Sequence, residues 1–164
     1  MRKIIFLDVD GVLNDHTYTE KCAKKLKKLN LSPSLMNFER VPFNPRSLKN
    51  LQKIILQTGA EIVLHSTWRL HQGELYVLRA RLAEYGIKLN EMTESLSSLT
   101  ITSHKEEEIS KYLEKHIKEL EEEIQFVIID DNNLEMPSLV QTDYRHGLTN
   151  RKAQKCIEIL NKEG

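Results

Sequence analysis

The stretch Lys3–Leu7 (KIIFL) is a continuous apolar run of strand length that stops at Asp8 and meets Gly11 three residues later. A run without polar alternation needs cover on both faces, which is the condition of a parallel strand inside an α/β sheet. The pattern recurs in EIVLH at Glu61–His65 and FVII at Phe126–Ile129, more weakly at Leu139–Val140, and a short strand is predicted around Ile87–Leu89. Between these runs apolar residues follow helical spacing: Leu48, Leu51, Ile54 and Ile55 within Pro45–Gln57, closed by Gly59, and Leu75, Leu78, Leu82 and Tyr85 within Gln72–Tyr85. Ser103 and Glu106 have capping-box spacing and predict a helix over 104–120, and Asn150–Leu160 reads as a closing helix. Strands alternating with helices imply an α/β fold around a mostly parallel sheet, and 164 residues make a single domain over 1–164.

Hydrophobic residues are 40% and charged residues 29%, and no apolar run approaches the roughly 18 residues of a membrane span, so disordered and membrane-spanning classes are excluded. Lys plus Arg equals Asp plus Glu at 24 each, leaving no global field toward nucleic acid or a membrane. Cys22 and Cys156 form no CxxC pair, which fits a reducing compartment, and Asp8 and Asp10 interrupt any signal-peptide core; the expected location is cytoplasmic. Residues 14–43 break the alternation. With Lys21, Lys24, Lys25, Lys27 and Lys28, then Pro33 and Pro42, they read as a lysine-rich insertion over the crevice.

That crevice is set by the strand ends, since ligands of parallel sheets collect beyond the carboxyl ends of the strands. Asp8 with Asp10, Ser66 with Thr67, and Asp130 with Asp131 all stand at such ends. A carboxylate can attack phosphorus and form an acyl phosphate, splitting hydrolysis into two displacements. Two like charges held close to one anion favour protonation of one of them. Gly11 permits a sharp turn that brings amides near an anion.

The segment IIFLDVDGVLN resembles the first motif of the haloacid dehalogenase (HAD) superfamily, a strand followed by DxDG. EIVLHS resembles the second motif, FVIIDDNNLE the fourth, and STWR and KEEEISKYL are similar to stretches of a small, nearly capless branch. FNPRSLKNLQKIILQTGAEIVLHSTWR and LVQTDYRHGLTNRKAQKCIEIL also read like that branch, so the resemblance covers nearly the whole chain. The branch includes phosphatase-like domains of RNA-repair proteins.

The resemblance implies a HAD-like Rossmannoid three-layer fold with a short insertion after the first strand in place of a full cap. It further implies a Mg2+-dependent phosphatase that works through an aspartyl-phosphate. Asp8 would be the nucleophile, Asp10 the general acid/base, and Ser66 and Lys105 the donors to the phosphoryl oxygens. Gly11, Thr67 and Arg69 would bind substrate. Asp8, Asp131 and the main-chain carbonyl of Asp10 would hold Mg2+ with Asp130 in support; which of the adjacent pair touches the metal stays open, and Glu135 would act through water. The second Asp selects phosphatase or phosphotransferase over dehalogenase. Ser66 also suits a plain N-cap, Arg69 a surface ion pair, and Lys88 is the alternative to Lys105. The chain departs from the branch in its lysine-rich insertion and in lacking Gly after Lys105.

Capless members tend to act on bulky phosphorylated partners, so the lysine run would guide a nucleic-acid end or an acidic protein. The alternative is a solvated amphipathic helix with Leu26 and Leu29 inward. Two further functions remain open: a polynucleotide end phosphatase, and a non-catalytic phospho-signalling or interaction module. His16, His65, His71, His104, His116 and His146 form no spaced metal pair and receive no chemistry. Tyr144 and Arg145 read as surface loop, and Tyr18 and Phe38 suit either base stacking or core packing.

Overall fold

A computed structural model describes residues 1–32, 42–96 and 104–162. Strands β1 (Arg2–Leu7), β2 (Glu61–Leu64), β3 (Glu91–Met92), β4 (Ile124–Asp130) and β5 (Leu139–Gln141) form one sheet in the order β3-β2-β1-β4-β5. Every pairing is parallel. Helices α1 (His16–Lys28), α2 (Pro45–Thr58), α3 (Gln72–Ala83), α4 (Lys105–Glu114) and α5 (Asn150–Leu160) connect or flank the strands. The fold is the α/β three-layer arrangement expected of the sequence.

Side-chain alternation divides the core. Ile5 and Leu7 of β1 point to one face and join Leu48, Leu51 and Ile54 of α2, Leu78 and Leu82 of α3, and Cys156 and Leu160 of α5. Ile4 and Phe6 point to the other face, with Val63, Ile128 and the α4 residues Ile109 and Tyr112. Phe6 meets Tyr112 edge-to-face at 5.4 Å. Residues Ile4–Leu7 are wholly buried, which is why the run carries no polar position.

Three local expectations are corrected. The strand around Ile87–Leu89 lies instead at Glu91–Met92: Ile87 and Leu89 are buried fillers, and sheet contact begins where Asn90 N–H donates to Ile62 O and its side chain accepts from Ile62 N–H. The helix expected over 104–120 is α-helical to Glu114 and continues as a π-type turn over Lys115–Glu119, where Leu120 N–H bonds back to Lys115 O. Helix α1 buries none of its residues, and Leu29, expected inward, is 60% exposed because it follows the helix as its C-cap. Ser103, Pro33 and Phe38 lie outside the described residues.

Candidate active site

The register of the sheet builds the site. Leu7 pairs with Leu64 on one side and Ile129 on the other, so the next residues, Asp8, His65 and Asp130, form a row across the three central strand ends. Backbone bonds from Asp8 N–H to Ile129 O (3.0 Å) and His65 N–H to Leu7 O (3.1 Å) lock that row. Each member sits two residues beyond Phe6, Val63 or Ile128, which face α4, so all three side chains project to the α4 side.

Lys105, in the first turn of α4, meets them there. Its Nζ lies 2.6 Å from Asp8 Oδ2 and 2.7 Å from Asp130 Oδ2. Burial works to lower the lysine's pKa, but the two carboxylates outweigh it and hold the ammonium above its ordinary value. Asp8 Oδ1 also accepts from Val9 N–H at 2.8 Å. Burial would raise the Asp8 pKa, yet Lys105 and the backbone donor hold it below the usual carboxylate range. Asp130, wholly buried, goes the other way: burial and the nearby Asp8 push it up to about 6. Its Oδ1 accepts from both the backbone and side-chain N–H of Asn132, so both of its oxygens are engaged.

Asp131 completes the cluster. One oxygen from each of Asp8, Asp130 and Asp131 lies within 4.8 Å of the others, an arrangement that could hold a metal ion. Burial and then Asp8 raise the Asp131 pKa, as expected of carboxylates crowded against one lysine. Three hard anionic oxygens suit a hard divalent cation, and this is the fit that the chemistry of the donors supports. Gly11 makes room: its φ is +70°, and a Cβ there would fall 2.5 Å from Asp131 Oδ2.

The remaining expected residues divide. Gly11 has a steric role beside Asp131, and its N–H is donated to Asn14 Oδ1 at 3.1 Å while its carbonyl accepts from Thr142 Oγ1. Ser66, buried, accepts from Trp68 N–H at 3.4 Å as the cap of a short 3-10 helix over Thr67–Leu70, and its own hydroxyl proton is still available to donate. Thr67 is exposed at the start of that turn. Arg69 pairs with a buried acid and not with a surface one. Its guanidinium donates to the carbonyls of His65 (2.6 Å), Ser66 (2.8 Å) and Thr93 (3.0 Å) and forms a buried ion pair with Glu108 at 2.5 Å. Arg69 therefore fastens the end of β2 to α4. Lys88 is exposed in a separate hollow with Arg79 and Ala83, outside the cluster, and Glu135 is exposed with its N–H on Glu106.

Asp10 stands apart from the buried row. It is exposed, with Oδ1 accepting from Asn14 Nδ2 at 2.7 Å and Oδ2 from the indole Nε1 of Trp68 at 3.0 Å. His65, given no chemistry from sequence, is packed as expected of a strand histidine but packed inside the site, its Nε2 3.4 Å from Asp130 Oδ2. Burial above all, with Lys105 and Arg69 adding, pushes its pKa down to about 3, so the ring is neutral. Counting the parity of EIVLH against IIFLD was the available signal for His65.

A hollow of about 320 Å3 bounded by His104, Lys105, Glu106, Glu107, Asn132 and Leu134 opens beside the cluster. A larger one of about 370 Å3, between Glu91, Tyr112 and His116, shares no residue with it.

A family model described as the HAD domain in Swiss Army Knife RNA repair proteins matches residues 4–153. No curated protein and no solved structure matches the chain.

Proposed function

Because the chain belongs to the HAD domain family of Swiss Army Knife RNA repair proteins, we propose that it hydrolyses phosphomonoesters through an aspartyl-phosphate on Asp8. The observation that carries this reading is the contact of Asp8 with Lys105 inside a cluster of three carboxylates. Lys105 keeps the Asp8 carboxylate ionised, as a nucleophile must be, and supplies a fixed positive charge for the phosphoryl oxygens. Asp8, Asp130 and Asp131 would hold Mg2+, with Asp131 the more direct ligand since both Asp130 oxygens already have partners. When bound, Mg2+ supplies charge stabilisation for the transferring phosphoryl group. Ser66 donates its hydroxyl, Thr67 and the backbone around Gly11 border the substrate, and Asp10 protonates the leaving oxygen and then takes a proton from water. We place all of 1–164 in this one domain, with 14–43 as its insertion.

The test is phosphate release from p-nitrophenyl phosphate with Mg2+ present and then chelated. Asp8→Asn should abolish turnover in the folded protein, and full activity in that variant would remove the nucleophile assignment.

A second, finer reading takes a polynucleotide end as the phosphomonoester. It is favoured by α1, where Lys21, Lys24, Lys25 and Lys28 recur at i, i+3, i+4 and i+7, are all exposed, and form no ion pair among the described residues. Such a stripe matches the phosphates of a strand and binds by counterion release. Changing the four lysines to Gln should raise KM for a phosphate-ended oligonucleotide and flatten its salt dependence. An unchanged KM would reduce the stripe to a solvated face.

A further inference from the structure

We propose that Trp68, with Asn14, positions the carboxylate of Asp10 for proton transfer, an inference that rests on the phosphatase reading of Asp8 and Asp10. The two oxygens of Asp10 are held from different directions: Oδ2 by the indole Nε1–H of Trp68 at 3.0 Å and Oδ1 by Nδ2 of Asn14 at 2.7 Å. Neither donor is free to turn. Asn14 is oriented because its own Oδ1 accepts from Gly11 N–H at 3.1 Å, which leaves Nδ2 directed at Asp10. Trp68 is only 3% exposed and packs edge-to-face on Phe43 at 5.4 Å. Its backbone N–H is fixed on Ser66 Oγ, and the following Arg69 is fastened to Thr93 and Glu108.

The chemistry of the donors suits the task. An indole N–H donates and never accepts, so it cannot take the proton that Asp10 must carry. A carboxyl oxygen that accepts one hydrogen bond keeps a second lone-pair direction, and the exposed side of Asp10 leaves that direction open to substrate. In the first displacement the Asp10 O–H proton passes to the ester oxygen as its bond to phosphorus breaks and the Asp8 oxygen–phosphorus bond forms. In the second, Asp10 takes a proton from water as the water oxygen bonds to phosphorus and the bond to Asp8 breaks. The carboxyl stays seated on Trp68 and Asn14 through both, which is the geometric requirement for efficient transfer. Trp68 is thus a positioning residue, and Phe43, at the end of the insertion, seats the ring that does the positioning.

The experiment compares kcat/KM, which reports formation of the aspartyl-phosphate, on an aryl and an alkyl phosphate. An aryl leaving group departs with little protonation and an alkyl one depends on it. Trp68→Phe keeps the ring and removes the donor, so the aryl-to-alkyl ratio of kcat/KM should rise about tenfold or more. In an Asp10→Asn background the same change should have no further effect on the ratio, because its target is gone. Asn14→Ala, at a half-buried position, gives a second variant with the same expected signature. A direct readout needs no activity: Trp68 is the one tryptophan in the sequence, and its indole N–H resonance should move when Asp10 is changed to Ala. An unmoved resonance, or equal losses on both esters, overturns the proposal. If the wild-type protein releases no phosphate while the resonance does move, it is the phosphatase reading that fails.

Discussion

The ammonium of Lys105 lies 2.6 Å from Oδ2 of Asp8 although 97 residues separate the two in sequence. It is also the nearest counter-charge to Asp130, at 2.7 Å, so one lysine on α4 balances acids from the ends of two strands, β1 and β4. Removing one member of a buried ion pair leaves the other unpaired in a poor solvent for charge, which typically costs about 3–5 kcal/mol.

Lys105→Met should therefore lower stability at pH 7 by roughly 3 kcal/mol or more, read by urea unfolding. Saturating Mg2+ should restore more stability to the variant than it adds to the wild type, because a cation on the carboxylates takes over the missing charge and binds the folded form alone. Equal metal stabilisation in both proteins would show that Lys105 and the metal do not share these carboxylates.

Gly11→Ala tests the room that Asp131 needs. The added Cβ would stand 2.5 Å from Asp131 Oδ2 and 2.6 Å from its Cγ, at a φ of +70° where a side chain costs about 1–2 kcal/mol. Asp131 must swing away, so metal affinity measured by calorimetry should fall at least about tenfold, within the range seen when ligand placement is disturbed. A retained affinity would separate Asp131 from the metal.

Arg69 and Glu108 form a buried pair that also carries three backbone carbonyls. Arg69→Met should destabilise by about 3–5 kcal/mol, whereas Arg69→Met combined with Glu108→Leu should lose less than the sum of the two single changes. At a temperature where the double variant is folded, its KM for an aryl phosphate should match the wild type. A large rise in KM would return Arg69 to the substrate.

The acid side of the stability profile carries the signature of His65. Its folded pKa, about 3, lies below the ordinary value of 6.5, so below pH 6.5 the unfolded chain takes up a proton that the folded one refuses. Stability contributed by the neutral ring is present above pH 6.5 and lost as pH falls toward 3. Between pH 7 and pH 5 this amounts to about 2 kcal/mol. Asp130 acts with opposite sign: raised to about 6, it binds its proton in the folded state first and gains stability as pH falls from about 6 toward 3.8. Because Asp130 is common to both proteins, His65→Leu should lose about 2 kcal/mol less than the wild type over that pH step. Parallel profiles would mean that the ring is charged or exposed in solution.

Much of this architecture is legible in the amino-acid order alone. Each central strand is announced by an apolar run, and each run stops where the chain leaves the sheet, so KIIFL, EIVL and FVII by themselves place Asp8, Ser66 and Asp130 at strand ends. Helices α2 and α5 follow from their apolar spacing and caps in the same way, because local propensity and burial agree there. What pattern could not supply is the pairing register and the rotation of helices onto the sheet. Register places Asp8 between His65 and Asp130; the docking of α4 sets Lys105 on both acids and seats Arg69 in a buried pair with Glu108. The same contact geometry hands Asp10 to Trp68, 58 residues away. These are contacts between residues distant in sequence, decided by how covered faces pack in three dimensions, and a one-dimensional pattern holds residue types and spacing but not the distances between them.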